Sequence, residues 1–172
     1  MTLSRFLAGA AVALGLSTFS AGAQVVVSSK IDTEGGVLGH IIQSVLNAND
    51  IATTDRIQLG GTPVVRNAIL AGEIDIYPEY TGNAAFFFER ADDPLWNNAQ
   101  SAYEEAKKLD YDANQIVWLT PSPANNTWAV AIRQDVAEAN GLDTFTEFGE
   151  YVASGGEVVL AASAEFVNSP AA

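Results

Sequence analysis

Residues 73–88 read EIDIYPEYTGNAAFFF, a stretch that sets a strand directly before a polar turn. The alternation of apolar and polar residues over Ile74–Tyr77 predicts a short strand, which ends at a proline. The segment Glu79–Asn83 has the Gly and Asn residues of a turn. A tyrosine in such a turn, Tyr80, is placed to project its ring into a cleft beyond the strand. The aromatic residues behind the turn, Phe86–Phe88, are predicted to lie in the core.

The sequence around this stretch alternates between predicted strands and helices. Branched apolar runs predict the strands, and apolar residues at helical spacing predict the helices. Thr62 is the predicted N-cap of a helix that starts at Pro63, and Thr144 opens a capping box with Glu147. The predicted strands are 24–28, 56–59, 74–77, 115–119, 127–133 and 157–161, and further helices are predicted at 35–47, 99–109 and 134–140.

Two of the predicted helices carry an apolar face for the core. In helix 35–47 the face consists of Val37, Leu38, Ile41, Ile42, Val45 and Leu46. His40 lies off that face and is predicted to be a surface residue. In the helix from Pro63 the inward residues are predicted to be Val64, Val65, Ala68 and Ile69.

This order of elements predicts an α/β fold around a largely parallel sheet. In such sheets ligands bind beyond the carboxyl ends of the strands. Three polar segments fall at predicted strand ends, namely Ser29–Lys30, Tyr80–Asn83 and Pro121–Trp128. Residues 24–120 are predicted to form a first α/β lobe, 121–128 a connection stiffened by two prolines, and 129–172 part of a second lobe. The chain is therefore expected to lack the rest of that lobe.

Composition excludes several kinds of site. The chain of 172 residues has no Cys and one His, which excludes disulfides, thiolate ligands and multi-histidine metal centres. No cofactor or metal site is predicted. The formal net charge of −13 argues against a nucleic-acid partner, which requires a basic surface. The negative charge is compatible with a cationic ligand, and solubility explains it equally well.

Residues 1–23 are predicted to be a cleavable signal peptide. Arg5 precedes the short apolar run 6–16, and Ala21–Ala23 fits the small-residue cleavage rule, so the mature chain is expected to start at Gln24. Removing this leader takes away one Arg and no acid, which leaves seven basic and 21 acidic residues and a net charge of −14. The protein is expected to be exported, and to be periplasmic in a bacterium with two membranes.

Three segments, SSKIDTEGGVLGHII, GGTPVVRNAILAGEIDIYPEYTGN and PANNTWAVAIR, resemble the substrate-binding proteins of ABC importers for osmoprotectants such as glycine betaine and choline. The resemblance covers nearly all of residues 24–172. It implies a periplasmic-binding-protein fold of type II-like character, with two α/β lobes that close on the ligand. It also implies a quaternary-ammonium solute, delivery to a membrane permease with its cytoplasmic ATPase, a monomeric protein and no enzyme activity.

The resemblance also implies which residues hold the ligand. The aromatic box of the family falls on Tyr80 and Trp128, whose ring faces attract a cation while accepting its methyl groups. Lys30 matches a donor for a ligand carboxylate, although a solvated lysine is the alternative. Asn83 stands where many relatives have Thr, and Asn126 is a further candidate for hydrogen bonds to the ligand. Tyr77 is predicted to be structural.

Two observations keep other interpretations open. The segment EFVNSP, residues 165–170, has Asn168 and Ser169 where many relatives have an Arg that clamps a carboxylate, which puts tight betaine binding in doubt. A binder of an amino acid or a sulfonate on the same fold is the alternative. A periplasmic hydrolase is a further one, because Glu73, Asp75 and Glu79 cluster, but these carboxylates are predicted to lie on a solvated face.

Overall fold

The computed structural model describes residues 24–167, apart from the side chain of Glu165. The predicted signal peptide therefore lies outside the described residues, as do Asn168 and Ser169. Strands β1 (Val25–Lys30) and β2 (Thr53–Gly60) pair in parallel, with Val27 opposite Asp55. On the other side of β1, a parallel bridge joins Val27 to Ile76. The predicted α/β fold with a parallel sheet is confirmed, but Ile74–Tyr77 forms a single bridge and not a third strand.

The first helix, α1 (Thr33–Ala48), makes its closest approach to the sheet through glycines. Gly35, Gly36 and Gly39 are buried, whereas Val37, Ile41 and Val45 from the predicted stripe are exposed. A Cβ atom on Gly35 would lie 2.6 Å from the carbonyl oxygen of Lys30, so only glycine allows this approach. The other three residues of the stripe, Leu38, Ile42 and Leu46, are half-buried, so the predicted face is correct in part, and His40 is exposed as predicted.

The second helix, α2 (Thr62–Leu70), supplies the centre of the small core. Val65, Ala68 and Ile74 are buried, and Val26, Leu59, Ile69 and Tyr77 pack against them. Gly61 is the N-cap and Thr62 the first helical residue, one position from the prediction. Val64, which was predicted to face the core, is exposed, and Arg66 is buried. Arg66 faces inward because it pairs with the buried carboxylate of Asp110.

The remaining elements are helical or extended. The apolar residues that close the turn are Ala84 and Ala85, in α3 (Asn83–Phe87), whereas Phe86–Phe88 are only half-buried. The described helices after it are a 3₁₀ turn (Pro94–Asn97), α4 (Ala99–Asn114), α5 (Gln134–Asn140), α6 (Phe145–Ala153) and α7 (Ala164–Val167). The predicted end of α5 at Gly141 and the capping box of Thr144 and Glu147 are confirmed.

Three predicted strands, 115–119, 127–133 and 157–161, form neither strands nor helices. Branched apolar runs favour strands, but a strand also requires a backbone partner, and these segments pair with none within residues 24–167. Their apolar side chains, such as Val117, Leu119 and Val159, are exposed. Within the described part of the chain, no helix is long and apolar enough to span a membrane.

A buried ion pair holds α2 against α4. The Arg66 guanidinium donates two hydrogen bonds to the Asp110 carboxylate, at 2.8 and 2.6 Å, and Asp110 is fully buried. Asn114 and the indole of Trp118 donate to the same carboxylate at 2.8 and 2.7 Å. Trp118, in the predicted strand 115–119, thus donates a hydrogen bond to α4 instead of lying in a strand. Helix α4 is longer than predicted and ends at Asn114.

These contacts decide the ionisation of Asp110. Burial by itself would raise the pKa of the carboxyl, but the hydrogen bonds from Arg66, Asn114 and Trp118 hold it below its ordinary value of 3.8. A carboxyl with a lowered pKa in the folded state contributes stability above its unfolded-state pKa. That contribution is lost as the pH falls through the folded-state value.

We therefore expect Asp110→Asn to lower the free energy of unfolding at neutral pH by about 3–5 kcal/mol, because it leaves the Arg66 charge buried without its partner. Below about pH 4 the difference from the unsubstituted chain should shrink, because that chain loses the same contribution there. Urea denaturation at a series of pH values measures both effects. Asp112→Asn, which removes an exposed ion pair with Lys108 on the same helix, is the control and should cost less than about 1 kcal/mol. Equal losses at all pH values would contradict the expectation.

Candidate ligand-binding site

A cluster of polar side chains lies where β1 ends. The Lys30 ammonium, at the last residue of β1, donates to Oε1 of Glu79 at 2.6 Å. Both side chains are buried, with 3% of Lys30 and 7% of Glu79 exposed. Lys30 is thus not solvated, and Glu79 does not lie on the predicted solvated face.

Glu79 also organises the turn that follows it. Its Oε1 accepts from the Tyr80 backbone N–H at 2.7 Å and from the Asn83 side-chain amide at 2.8 Å. Its Oε2 accepts from the Tyr77 hydroxyl at 3.0 Å. One carboxylate therefore fixes the turn from which Tyr80 projects, and it connects Lys30 to Asn83.

The ring of Tyr80 has a cation on its face. The Lys30 ammonium lies 4.6 Å from the ring centroid, within the distance at which a cation and an aromatic face attract each other. Tyr80 is half-buried, so part of its ring faces the solvent. Lys30 and Tyr80, which belong to two of the polar segments at predicted strand ends, are thus in contact at the end of β1.

The hydroxyl of Tyr80 lies among carboxylates. Burial, and after it the charge and hydrogen bonding of Glu34, raise the pKa of Tyr80 to about 12. Asn126 opposes that rise through a hydrogen bond, and the charge of Asp32 adds to it. Asn126 in turn donates to the Glu34 carboxylate at 2.7 Å, so the predicted residues Tyr80 and Asn126 meet at Glu34.

The start of α1 places these acidic residues. Asp32 is the N-cap, and its side chain accepts from the Gly35 N–H at 2.7 Å. The Gln58 amide donates to the Ile31 carbonyl at 3.0 Å, and Gln58 itself has a φ of +60° at an irregularity in the strand pairing. Together these contacts fix the loop between β1 and α1, and with it Glu34 one turn from the sheet end.

The ring of Trp128 packs against a residue outside the predicted site. It is 48% exposed, and its ring packs edge-on against Phe166 with a centroid distance of 5.2 Å. Among the ring contacts of the described residues, none joins Trp128 to Tyr80. The structure thus brings Lys30, Tyr80, Asn83 and Asn126 together through Glu79 and Glu34, and leaves Trp128 outside that group.

A buried charge network runs from the site into the core. The Tyr77 hydroxyl contacts Glu79 on one side and interacts with Arg66 on the other. Burial and the Glu79 charge raise the pKa of Tyr77 strongly, and Arg66 partly opposes that rise. Arg66 also lies over the Phe87 ring, 4.4 Å from its centroid, and pairs with Asp110. Tyr77 is therefore structural, as predicted, because it joins the site to the ion pair between α2 and α4.

Sequence reasoning missed Glu79, Glu34 and Arg66. Glu79 follows a predicted strand and a proline. Its position next to the aromatic turn, together with a lysine at the end of another predicted strand, is the pattern that could have indicated its role. Glu34 lies in the first turn of α1, where acidic residues are common for reasons of helix stability alone. No local pattern indicates that it contacts Asn126, which is 92 residues away. No group of three or more potential metal ligands occurs within residues 24–167.

Comparison with known proteins places this chain in a family. The sequence profile of the substrate-binding domain of ABC-type glycine betaine transport systems matches residues 23–172. The chain belongs to this family. Members of the family are extracytoplasmic substrate-binding components of transporters. The α/β architecture described above is thus that of a glycine betaine-type substrate-binding domain.

Individual relatives agree with the family assignment. The chain is 53% identical over 169 residues to the glycine betaine-binding protein YehZ of Escherichia coli K12, covering 97% of this chain and 55% of that protein. It is 30% identical over 150 residues to a glycine-betaine-binding protein of Pseudomonas aeruginosa, covering 84% and 47%. A solved structure of apo YehZ from Escherichia coli superposes with a TM-score of 0.62 at 56% identity, covering 85% and 52%. The chain spans about half the length of these relatives.

The surroundings of Tyr80 predict an unusual titration. We expect its phenol to lose the proton with a midpoint of about 12, and Glu34→Gln to move that midpoint down, because a neutral amide no longer opposes a phenolate. The titration can be followed by tyrosinate absorbance, with Tyr80→Phe subtracted to isolate Tyr80 from the other tyrosines. Circular dichroism over the same pH range checks that the chain stays folded. A midpoint near the ordinary value of 10.0, or no response to Glu34→Gln, would contradict the expectation.

Proposed function

We propose that this chain is the solute-binding part of an ABC importer that captures quaternary-ammonium osmoprotectants, such as glycine betaine or choline. YehZ of Escherichia coli and the Pseudomonas aeruginosa relative are glycine betaine-binding proteins, which supports this class of solute. The ligand is proposed to bind at the end of β1, against Tyr80, with Asn83 and Asn126 beside it. The proposal includes no cofactor, metal or catalytic residue.

The observation that carries the proposal is the Tyr80 ring in an acidic setting. An ammonium group already lies 4.6 Å from its centroid, which indicates that the ring accepts a cation on its face. One cation, Lys30, and three carboxylates, Asp32, Glu34 and Glu79, interact with one another or with Tyr80. The net charge of these four groups is negative, so a positively charged solute is favoured near the ring.

A quaternary ammonium suits this setting better than other cations. It has no N–H to donate, and its methyl groups need apolar contact that an aromatic face supplies. An amino acid or a sulfonate presents N–H or oxygen atoms that need polar partners on all sides. Trp128 is proposed as a second ring, which would approach the ligand from the 121–128 connection when two lobes close over it. Residues 24–120 and 129–172 are proposed to belong to these two lobes.

The proposal extends to export and partners. A cleavable signal peptide over residues 1–23 would direct the protein to the periplasm, and the loaded protein would deliver its solute to a membrane permease with a cytoplasmic ATPase. The protein is proposed to act as a monomer. Nucleic acid is not proposed as a partner, since the net charge is −13.

Recognition by cation–π attraction can be tested with choline and its neutral isostere, 3,3-dimethylbutanol. A pocket that recognises only the shape of the ligand should prefer the neutral isostere, because removing a cation from water is costly. An aromatic box of two rings should reverse that preference, at roughly 0.5–2 kcal/mol for each ring before desolvation is subtracted. Calorimetric competition measures the difference in affinity. Tyr80→Leu and Trp128→Leu should each shrink it, because leucine keeps apolar area but has no quadrupole.

Two further variants make this test specific. Tyr80→Phe keeps the ring face and should preserve the difference between the ligands, even if total affinity changes through Glu34 and Asn126. Tyr111→Leu, at an exposed tyrosine on α4, is the control and should change neither affinity. Equal binding of cation and isostere, or an unchanged difference in both site Leu variants, would refute the quaternary-ammonium proposal. Turnover of ester or glycoside substrates would favour a hydrolase instead.

The proposed export has a direct readout. When the chain is produced in a bacterium with two membranes, the periplasmic fraction should contain a form that begins at Gln24. N-terminal sequencing or intact mass identifies that residue. Ala21→Leu and Ala23→Leu together should block cleavage, because the cleavage site requires small residues at these positions. A cytoplasmic protein that keeps its first residues would show that the segment is not a leader.

A further inference from the structure

Glu79 accepts four hydrogen bonds at the proposed site, although it is not itself among the residues proposed to touch the ligand. Its two carboxylate oxygens accept from the Lys30 ammonium, the Tyr80 N–H, the Asn83 amide and the Tyr77 hydroxyl, at 2.6–3.0 Å. Four donors on one buried carboxylate satisfy nearly all of its acceptor positions. Glu79 is therefore fixed in place, and it has little capacity left to bind a ligand itself.

The same contacts decide what Lys30 can do. Lys30 and Glu79 are both buried, so their ion pair is only weakly screened by water. Glu79 thereby cancels the charge that Lys30 would otherwise present at the Tyr80 ring. No other Lys or Arg lies over Tyr80 in the described part of the chain. A ligand carboxylate that used Lys30 would have to compete with Glu79 for it.

We propose that Glu79 is a specificity-determining residue, which positions Tyr80 and Asn83 and neutralises Lys30 so that the site accepts a quaternary-ammonium cation. The inference rests on the proposed function and names the charge balance that governs its selectivity. While Lys30 is ion-paired with Glu79, the site binds the cationic head group of the solute. When Glu79 is neutral, Lys30 repels that head group and becomes available to a carboxylate.

This role predicts opposite effects on two ligands that share the trimethylammonium group. Choline is a cation, whereas glycine betaine also has a carboxylate. In Glu79→Gln, which keeps the size of the side chain, choline should lose roughly tenfold in affinity because Lys30 is uncompensated beside it. Glycine betaine should lose less or gain, because its carboxylate can pair with the released ammonium. The ratio of the two affinities should therefore shift toward betaine by roughly tenfold.

Two further variants separate charge from shape. Lys30→Met leaves Glu79 uncompensated, so it should shift the ratio in the opposite direction, toward choline. The double variant Lys30→Met with Glu79→Gln removes both charges, so its ratio should return close to that of the unsubstituted chain. Glu105→Gln breaks an ion pair with Arg90 away from the site and should leave both affinities unchanged. Calorimetry with choline and glycine betaine gives the affinities, and circular dichroism confirms that each variant is folded.

The outcomes distinguish this inference from the proposed function. If the unsubstituted chain binds neither ligand, the proposed function fails and the inference fails with it. If it binds them but Glu79→Gln weakens both equally, Glu79 is only a structural residue and the inference alone is refuted. If Glu79→Gln does not fold, the ratio in Lys30→Met decides, and a shift toward betaine or no shift refutes the inference. Opposite shifts in the two single variants, cancelled in the double variant, support it.

Discussion

The buried ion pair between Lys30 and Glu79 is the interaction on which the site depends. A buried carboxylate is costly unless it is paired and hydrogen-bonded, and Glu79 meets both conditions with four donors. Those donors come from the end of β1, from the strand-like segment beside it and from the aromatic turn. Satisfying one charge therefore brings the end of β1 and the continuous stretch 77–83 to the same point, and sets the position of the Tyr80 ring.

Further buried polar and charged residues connect the ion pair of Lys30 and Glu79 to the core. Tyr77 connects Glu79 to Arg66, and Arg66 is held by Asp110 on α4. Two cations and two carboxylates alternate along this path, so each buried charge has an opposite neighbour. Breaking such a pair from one side is strongly destabilising. The site and the packing of α2 on α4 are thus coupled through charge and not only through apolar contacts.

Close packing of α1 on the sheet supplies the acidic side of the site. Because Gly35 and Gly39 lack side chains, the helix approaches the end of β1 closely enough to set Glu34 beside Tyr80 and Asn126. Three of the six apolar residues that the helical pattern assigned to the core, Val37, Ile41 and Val45, are exposed, and the other three are half-buried. Periodicity identifies a helix reliably, but it does not show which face a row of glycines brings against a sheet.

The sequence by itself determined the fold class, the aromatic turn and most of the helices, because strand and helix periodicity, caps and turn residues act over a few neighbouring positions. It also carried the resemblance that identified the family. Only the tertiary structure decided that Lys30 is neutralised by Glu79, that Glu34 meets Asn126, and that Arg66 is buried on Asp110. These pairs are separated by 44 to 92 residues, and a charged residue read alone looks like a solvated one. Its partner becomes known only when the folded chain brings the two residues together.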